Sequence, residues 1–125
     1  MKILVINGSP KGNNSITLQT VLYLEKLNPQ HQFEILNVAA KIRSLEKDFT
    51  PAIEAINQAD VLLFSYPVYT FIAPCQLHRF IELMKEYGVN VAGKAATQIT
   101  TSKHFYDVTA HQYIQDNCQE MGLNF

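Results

Sequence analysis

Four short runs, apolar or alternating, recur along the chain, and small or polar residues close each one. They are Ile3-Leu4-Val5-Ile6, Phe33-Glu34-Ile35-Leu36-Asn37-Val38, Val61-Leu62-Leu63-Phe64-Ser65-Tyr66 and Lys94-Ala95-Ala96-Thr97-Gln98-Ile99-Thr100. The first and third are apolar almost throughout, which suits strands covered on both faces of a parallel sheet. The second alternates, and the fourth has the weakest strand propensity. Between them the period changes to that of a helix. Ser15 or Thr17 can cap a helix reaching about Leu27, with Leu18, Val21, Leu22, Leu24 and Leu27 as its apolar stripe, and Asn28-Pro29-Gln30 stops it. Residues 39–48 carry Lys41, Arg43 and Lys47 and read as a charged surface connection. Thr50-Pro51 reads as an N-cap followed by Pro at the first helical position, opening a short helix with Ile53 and Ile56 that ends near Asp60. The third strand is expected to break at Pro67, before a loop carrying Tyr69, Phe71 and Pro74. A helix from about Cys75 to Tyr87 places Leu77, Phe80, Ile81 and Met84 on one face, with Gly88 as its left-handed cap and His78 and Arg79 beside the stripe as surface or interface residues. After the exit loop Thr101-Ser102-Lys103-His104, Asp107 or Thr109 starts a last helix with Ala110, Tyr113, Ile114, Asn117, Cys118 and Met121 inward, closed by Gly122. The order β-α-β-α-β-α-β-α with right-handed crossovers is an α/β, doubly wound parallel sheet.

The 125 residues suit one domain, and 47 % apolar with 17 % charged residues is a globular composition. A formal net charge of −1 gives no support for non-specific nucleic-acid binding and none for a strongly acidic electron-transfer face. Cys75 and Cys118 stand far apart with no metal-site or redox-motif spacing, so free thiols in a reducing cytoplasm are expected. Met1-Lys2-Ile3 runs straight into a strand without a leader-peptide pattern, and no apolar run approaches membrane-spanning length. A cytoplasmic chain with neither nucleic acid nor membrane as partner is the expectation.

Doubly wound sheets bind ligands beyond the carboxyl ends of their strands, at the topological switch point. Three exit loops would meet there: residues 9–17, 67–71 and 100–103. The first, Gly8-Ser9-Pro10-Lys11-Gly12-Asn13-Asn14-Ser15, joins small residues and one Lys to a helix start, which points backbone N–H groups and positive charge at an anion such as a phosphate. None of the three contains Asp or Glu, so they suit an anionic, partly aromatic ligand and not Mg²⁺. The GxxxxGK[ST], GxGxxG and GxSxG patterns are absent, and strands one and three do not end on the acids that phosphoryl transfer to Asp needs. His104, Asp107 and the serines contain the residue types of a Ser/His/Asp set, a combination most chains hold by chance.

These segments resemble those of the flavodoxin-like NAD(P)H-dependent FMN reductases, a group that includes iron–sulfur flavoproteins and quinone and azo reductases. Residues 8–15 look like the group's phosphate loop. Residues 59–69, Ala-Asp before an apolar strand and then Ser65-Tyr66-Pro67-Val68-Tyr69, look like its ring-side segment, and Pro74-Cys75-Gln76-Leu77-His78-Arg79-Phe80-Ile81 like the helix that follows. The resemblance implies a flavodoxin-like three-layer fold that binds FMN, takes hydride from NADPH or NADH, and passes electrons to a quinone, flavin, nitro or azo compound or a partner centre. It implies that Ser9, Lys11, Ser15, Ile16 and Thr17 hold the phosphate, that Pro67, Val68, Tyr69 and Thr70 lie along the isoalloxazine ring, and that Thr100, Thr101 and Ser102 close its other side. Phe71 and Tyr106 are further candidate ring or substrate contacts. No residue is singled out as catalytic. A homodimer or larger homo-oligomer is implied, and with no cysteine cluster between strands two and three, no iron–sulfur cluster and no other metal are expected. His78 stands where the group usually has Lys. The group's fifth strand and last helix would follow residue 125, so a fragment of a longer protein, or an edge completed by another chain, is expected. The alternative function is a flavodoxin-like electron carrier or a non-catalytic flavin-binding module.

Overall fold

The computed structural model describes residues 1–12, 15–68, 73–102 and 108–125, without the side chain of Ser102. Its strands are β1 (Lys2–Asn7), β2 (Gln32–Asn37), β3 (Val61–Val68) and β4 (Ala95–Ser102). They form one parallel sheet in the order β2-β1-β3-β4, as the doubly wound reading expects. The helices are α1 (Ile16–Leu27), α2 (Val38–Lys47), α3 (Thr50–Gln58), α4 (Cys75–Glu86) and α5 (Val108–Glu120). β1 has a strand on each side within the sheet, and helices cover its apolar run above and below. Leu4 and Ile6 join Leu62, Phe64 and Tyr66 in the core under α2 to α5, while Val5 and Leu63 meet Leu18 and Val21 of α1 on the other face.

Four sequence expectations need correction. Residues 39–48 are not a connection, because all but the last of them belong to α2. Val38, Ala39 and Leu45 are buried and Ile42 is half-buried, while Lys41, Arg43 and Lys47 occupy the outer face. Asn37 ends β2 and immediately precedes the helix, so no linker marks the change of period. Thr50 is the first residue of α3 rather than its cap; Phe49 holds the cap position, and the Asp48 carboxylate accepts the Thr50 N–H at 3.1 Å. The Thr50 side chain and N–H together hold the Asp48 carboxyl below its usual range. β3 does not break at Pro67. Alternate residues of a strand point their backbone groups to one side, and the Ser65 carbonyl accepts the Gly8 N–H at 2.8 Å, just past the end of β1. The missing N–H of Pro67 therefore falls on the side where β1 has already turned away, and no ladder bond is lost. Finally, Thr101 and Ser102 belong to β4, not to its exit loop.

Phe49 closes the α2 side of the core. It is 1 % exposed, and its ring lies 5.5 Å from that of Phe80 and 5.2 Å from that of Tyr87. Outside this aromatic group Arg79 faces Glu46 at 3.4 Å and Glu82 and Glu86 at 3.2 Å, linking α4 to α2 at the surface. At the far edge Asn124 pairs in parallel with Ala95: the Ala96 N–H donates to the Asn124 carbonyl at 2.8 Å, and the Asn124 N–H to the Lys94 carbonyl at 2.9 Å. No helix among the described residues is long and apolar enough to cross a membrane.

The seam between α4 and α5 holds a histidine whose environment favours its neutral form. The His78 and Tyr113 rings stack at 4.0 Å and 8°, and His78 Nε2 is buried without a hydrogen-bond partner. Burial lowers the His78 pKa below its ordinary value, against a smaller opposing pull from Glu82. A lowered folded-state pKa means that the fold holds the neutral ring. The resulting stability is full above the unfolded value near 6.5 and is lost as pH falls through the folded value. A His78→Phe variant, which keeps a flat ring on Tyr113, is expected to lose less of its melting temperature between pH 7.5 and 5 than the wild type. Parallel pH profiles would refute this origin.

The two cysteines also differ. Cys118 is buried in α5, and desolvation pushes its thiol up to about 12, whereas Cys75 is exposed at the start of α4. One thiol, Cys75, is expected to react with an aromatic disulfide reagent in the native protein, and Cys118 only after denaturant is added. Two fast thiols in the native state would contradict that burial.

Candidate functional site

Chain direction reverses between β1 and β3: β1 leads outward to β2 on one side, and β3 to β4 on the other. The crevice therefore opens beyond Asn7 and Val68, where the β1–α1 loop sits. Its entrance depends on Gly8. A Cβ there would stand 2.9 Å from Leu77 Cβ at the start of α4, so only glycine lets the loop pack this close. The next four residues form a turn in which the Gly12 N–H donates to the Ser9 carbonyl at 3.0 Å and the Lys11 N–H to Ser9 Oγ at 3.3 Å. Gly12 has φ of 56°, a left-handed conformation that turns its carbonyl inward. That carbonyl accepts the Ser15 N–H at 3.2 Å. Ser15 caps α1, its Oγ accepting the Leu18 N–H at 3.4 Å.

Beneath the loop lies a row of polar residues in register, Asn37, Asn7 and Ser65, at the ends of β2, β1 and in β3. Asn7 is fully buried. Its Nδ2 donates to the Gly12 carbonyl at 3.0 Å and to Asn37 Oδ1 at 2.8 Å, and its Oδ1 accepts the Ser9 N–H at 3.2 Å. Ser65 is also fully buried, and its Oγ has no hydrogen-bond partner. No sequence motif marks this row. The available signal was a polar residue closing each apolar run, at Asn7 and at Asn37.

The arrangement suits an anion. The capping bond occupies the third N–H of α1, which leaves those of Ile16 and Thr17 without an intrahelical acceptor, at the positive end of the helix dipole. Lys11 is exposed and adds an ammonium, and residues 8–17 contain no carboxylate. Ser9 and Ser15 are each 2 % exposed, whereas Pro10, Lys11 and Ile16 are the exposed residues among those described between 8 and 17.

The expected ring-side residues separate. Thr17 is buried, and its hydroxyl shares a 2.8 Å hydrogen bond with the Thr101 hydroxyl, which joins α1 to the end of β4. Thr100, its neighbour in the same strand, faces the other way and meets His111 Nε2 of α5 at 2.9 Å. On that same side Tyr66 donates to Gln98 Oε1, and Gln98 Nε2 reaches the His111 carbonyl at 3.4 Å. Thr100 and Thr101 therefore do not line one wall together. Pro67 is half-buried beside Thr101, and the Val68 side chain belongs to the main core, which leaves its backbone for any ring contact. Ser102 ends β4. Tyr69, Thr70, Phe71, His104, Tyr106 and Asp107 lie outside the described residues.

A family model described as flavodoxin-like fold matches residues 1–120. No curated protein matches the chain in sequence. Solved structures do. One is RosB with a bound intermediate, 8-demethyl-8-formylriboflavin-5'-phosphate. It is 14 % identical with a TM-score of 0.78, and the match covers 99 % of this chain and 61 % of that one. Another is an FMN-dependent NADH-azoreductase from Bacillus anthracis in complex with FMN, 16 % identical with a TM-score of 0.69, covering 98 % and 83 %. A third is the NADH:FMN oxidoreductase EMOB in its apo form, 25 % identical with a TM-score of 0.76, covering 98 % and 70 %. The chain thus spans under two thirds of the first of these proteins and more of the other two.

Proposed function

The chain belongs to the family of flavodoxin-like fold, whose model spans residues 1–120, and from that premise we propose that it is an FMN-dependent NAD(P)H oxidoreductase. Bound FMN supplies the redox chemistry, accepting hydride from NADH or NADPH and passing electrons to a small acceptor such as a quinone, a flavin, or a nitro or azo compound. The observation that carries the reading is the loop from Gly8 to Ser15 at the switch point. The Gly12 carbonyl held on the buried Asn7, the Ile16 and Thr17 N–H groups without an intrahelical acceptor, and Lys11 fit a phosphate monoester. The names of the similar structures, a flavin-phosphate complex, an FMN-bound azoreductase and an NADH:FMN oxidoreductase, support the same cofactor.

In this reading Ser9, Lys11, Ser15, Ile16 and Thr17 hold the phosphate. Pro67, the Val68 backbone, Tyr69 and Thr70 lie along the ring, while Thr100, Thr101 and Ser102 close the site. The Thr17–Thr101 hydrogen bond ties the anion end to the β4 end. Thr100 acts from the α5 side, through His111. The chain's own part is to bind and orient the cofactor, and no side-chain acid or base is needed. Residues 1–125 make up one flavin-binding domain, and the Ala95–Asn124 pairing supports a further parallel strand beside β4. The protein is cytoplasmic and works as a homo-oligomer.

The test is direct. Added FMN is expected to lose its fluorescence on binding and to give a yellow protein that NADH or NADPH bleaches without oxygen. A yellow protein that neither nucleotide bleaches would make it a flavodoxin-like electron carrier. A protein that leaves FMN fluorescence unchanged would end the flavin reading.

A further inference from the structure

We propose that Asn7, which touches no ligand in this reading, is the positioning residue that makes the loop select an anion; the inference rests on the flavin reading above. A loop beside a phosphate must turn its carbonyls away, because an exposed carbonyl oxygen repels the ligand; the N–H groups of Gly8, Ser9, Lys11, Gly12 and Ser15 are used within the fold, and those of Ile16 and Thr17 face the anion. The inward turn at Gly12 is the critical one, with φ of 56° aiming its carbonyl down into the fold. Asn7 Nδ2 meets that carbonyl at 3.0 Å from below, while Asn7 Oδ1 holds the Ser9 N–H at 3.2 Å. One amide therefore fixes both ends of the turn, acting as donor at one and acceptor at the other. The second Nδ2 hydrogen goes to Asn37 Oδ1 at 2.8 Å, which anchors the amide to the end of β2.

The chemistry of position 7 follows. The side chain is fully buried, so whatever stands there must accept the Ser9 N–H and add a second donor to the Gly12 carbonyl, beside the Ser15 N–H, without help from water. A carboxylate accepts from Ser9 but cannot donate to Gly12 or to Asn37, and its lone pairs push the Gly12 carbonyl toward the ligand. It also places a negative charge directly under the anion site. Asn7→Asp is nearly isosteric, so it changes the donor pattern and the charge with little change of volume. The effect falls on the phosphate of FMN and spares riboflavin, which has the same ring system and no phosphate.

The experiment titrates FMN and riboflavin by fluorescence quenching against the wild-type protein, Asn7→Asp and Asn7→Ala, with a thermal melt of each. The wild type is expected to prefer FMN. Asn7→Asp should lower FMN affinity about tenfold with riboflavin changed less than about twofold, and Asn7→Ala should lower FMN affinity less. The Asn7→Asp deficit should shrink toward pH 5, relative to the wild type at the same pH, as the buried carboxyl takes up a proton and regains one donor. If Asn7→Asp does not fold, Asn7→Ala carries the test, with a smaller loss that still falls on FMN and not on riboflavin. Equal losses for the two flavins, or an FMN preference untouched in the variants, would overturn the proposal and leave the flavin reading standing. A wild type with no preference for FMN over riboflavin would overturn both.

Discussion

Replacing Lys11 and Ser15 together by alanine is expected to weaken FMN binding about a hundredfold while riboflavin changes only a few-fold. Hydrogen bonds to a charged group contribute roughly 1.5–3 kcal/mol each, and about 1.4 kcal/mol is a factor of ten. Lys11 is exposed, so solvent screens part of its contribution, and two contacts at the lower end of that range give about 3 kcal/mol. The double change also removes the α1 cap, because Ser15 Oγ accepts the Leu18 N–H. That loss, about 1 kcal/mol of helix stability, acts on both flavins and appears in the melting curve. The ratio of the two dissociation constants removes it from the comparison. The FMN advantage should also fall as salt is raised, since its main source is an exposed ammonium. Equal weakening of FMN and riboflavin would end the assignment of this loop to the phosphate.

The parts of this site that could be read from the residues are those whose cause is local. An unbroken apolar run at residues 3–6 is buried on both faces wherever it folds, and it is the inner strand β1. Ser15 offers its oxygen to a helix start three residues on, and Leu77, Phe80, Ile81 and Met84 face the core at helical spacing. The parts that were not legible have long-range causes. α2 hides because Lys41, Arg43 and Lys47 dominate the composition, although Val38, Ile42, Leu45 and Phe49 recur at spacings of three and four. Pro67 reads as a strand end because its tolerance depends on where β1 stops, a fact of the sheet and not of the segment. Asn7 looks like an ordinary polar residue after a strand. Its part in the loop depends on Gly12 above it and Asn37 beside it, five and thirty positions away. Thr100 and Thr101 look interchangeable until the end of β4 is known, and then the strand period sends one to α5 and the other to α1.

Phe49 lies in the stretch the residue pattern obscures most, and its removal is expected to cost the most stability. Phe49→Ala should lose about 3–5 kcal/mol, the usual range for deleting a buried phenylalanine ring. Phe49 is 1 % exposed and packs against both Phe80 and Tyr87, so its loss leaves a cavity between α2 and α4 that the backbone cannot close without moving a helix. For a domain of this size the melting temperature should fall by roughly 10–20 °C. Arg79→Ala, which breaks three exposed ion pairs at the same helix junction, should shift it by only a few degrees, because screened surface pairs contribute little. The contrast decides whether the aromatic cluster or the ionic clasp holds α2 in place. Tyr87 and Leu77 stand ten positions apart along and just beyond α4, roughly 15 Å at helical rise. Phe80, three positions from Leu77, is the nearer of the two ring contacts, and the loop at Gly8 packs on Leu77 itself, which the substitution leaves in place. At a temperature where the variant is fully folded, FMN affinity should stay within a few-fold of the wild type. A stability loss under about 1 kcal/mol would mean that α2 does not depend on this ring. A large loss of FMN affinity in the folded variant would mean that the two ends of α4 are coupled.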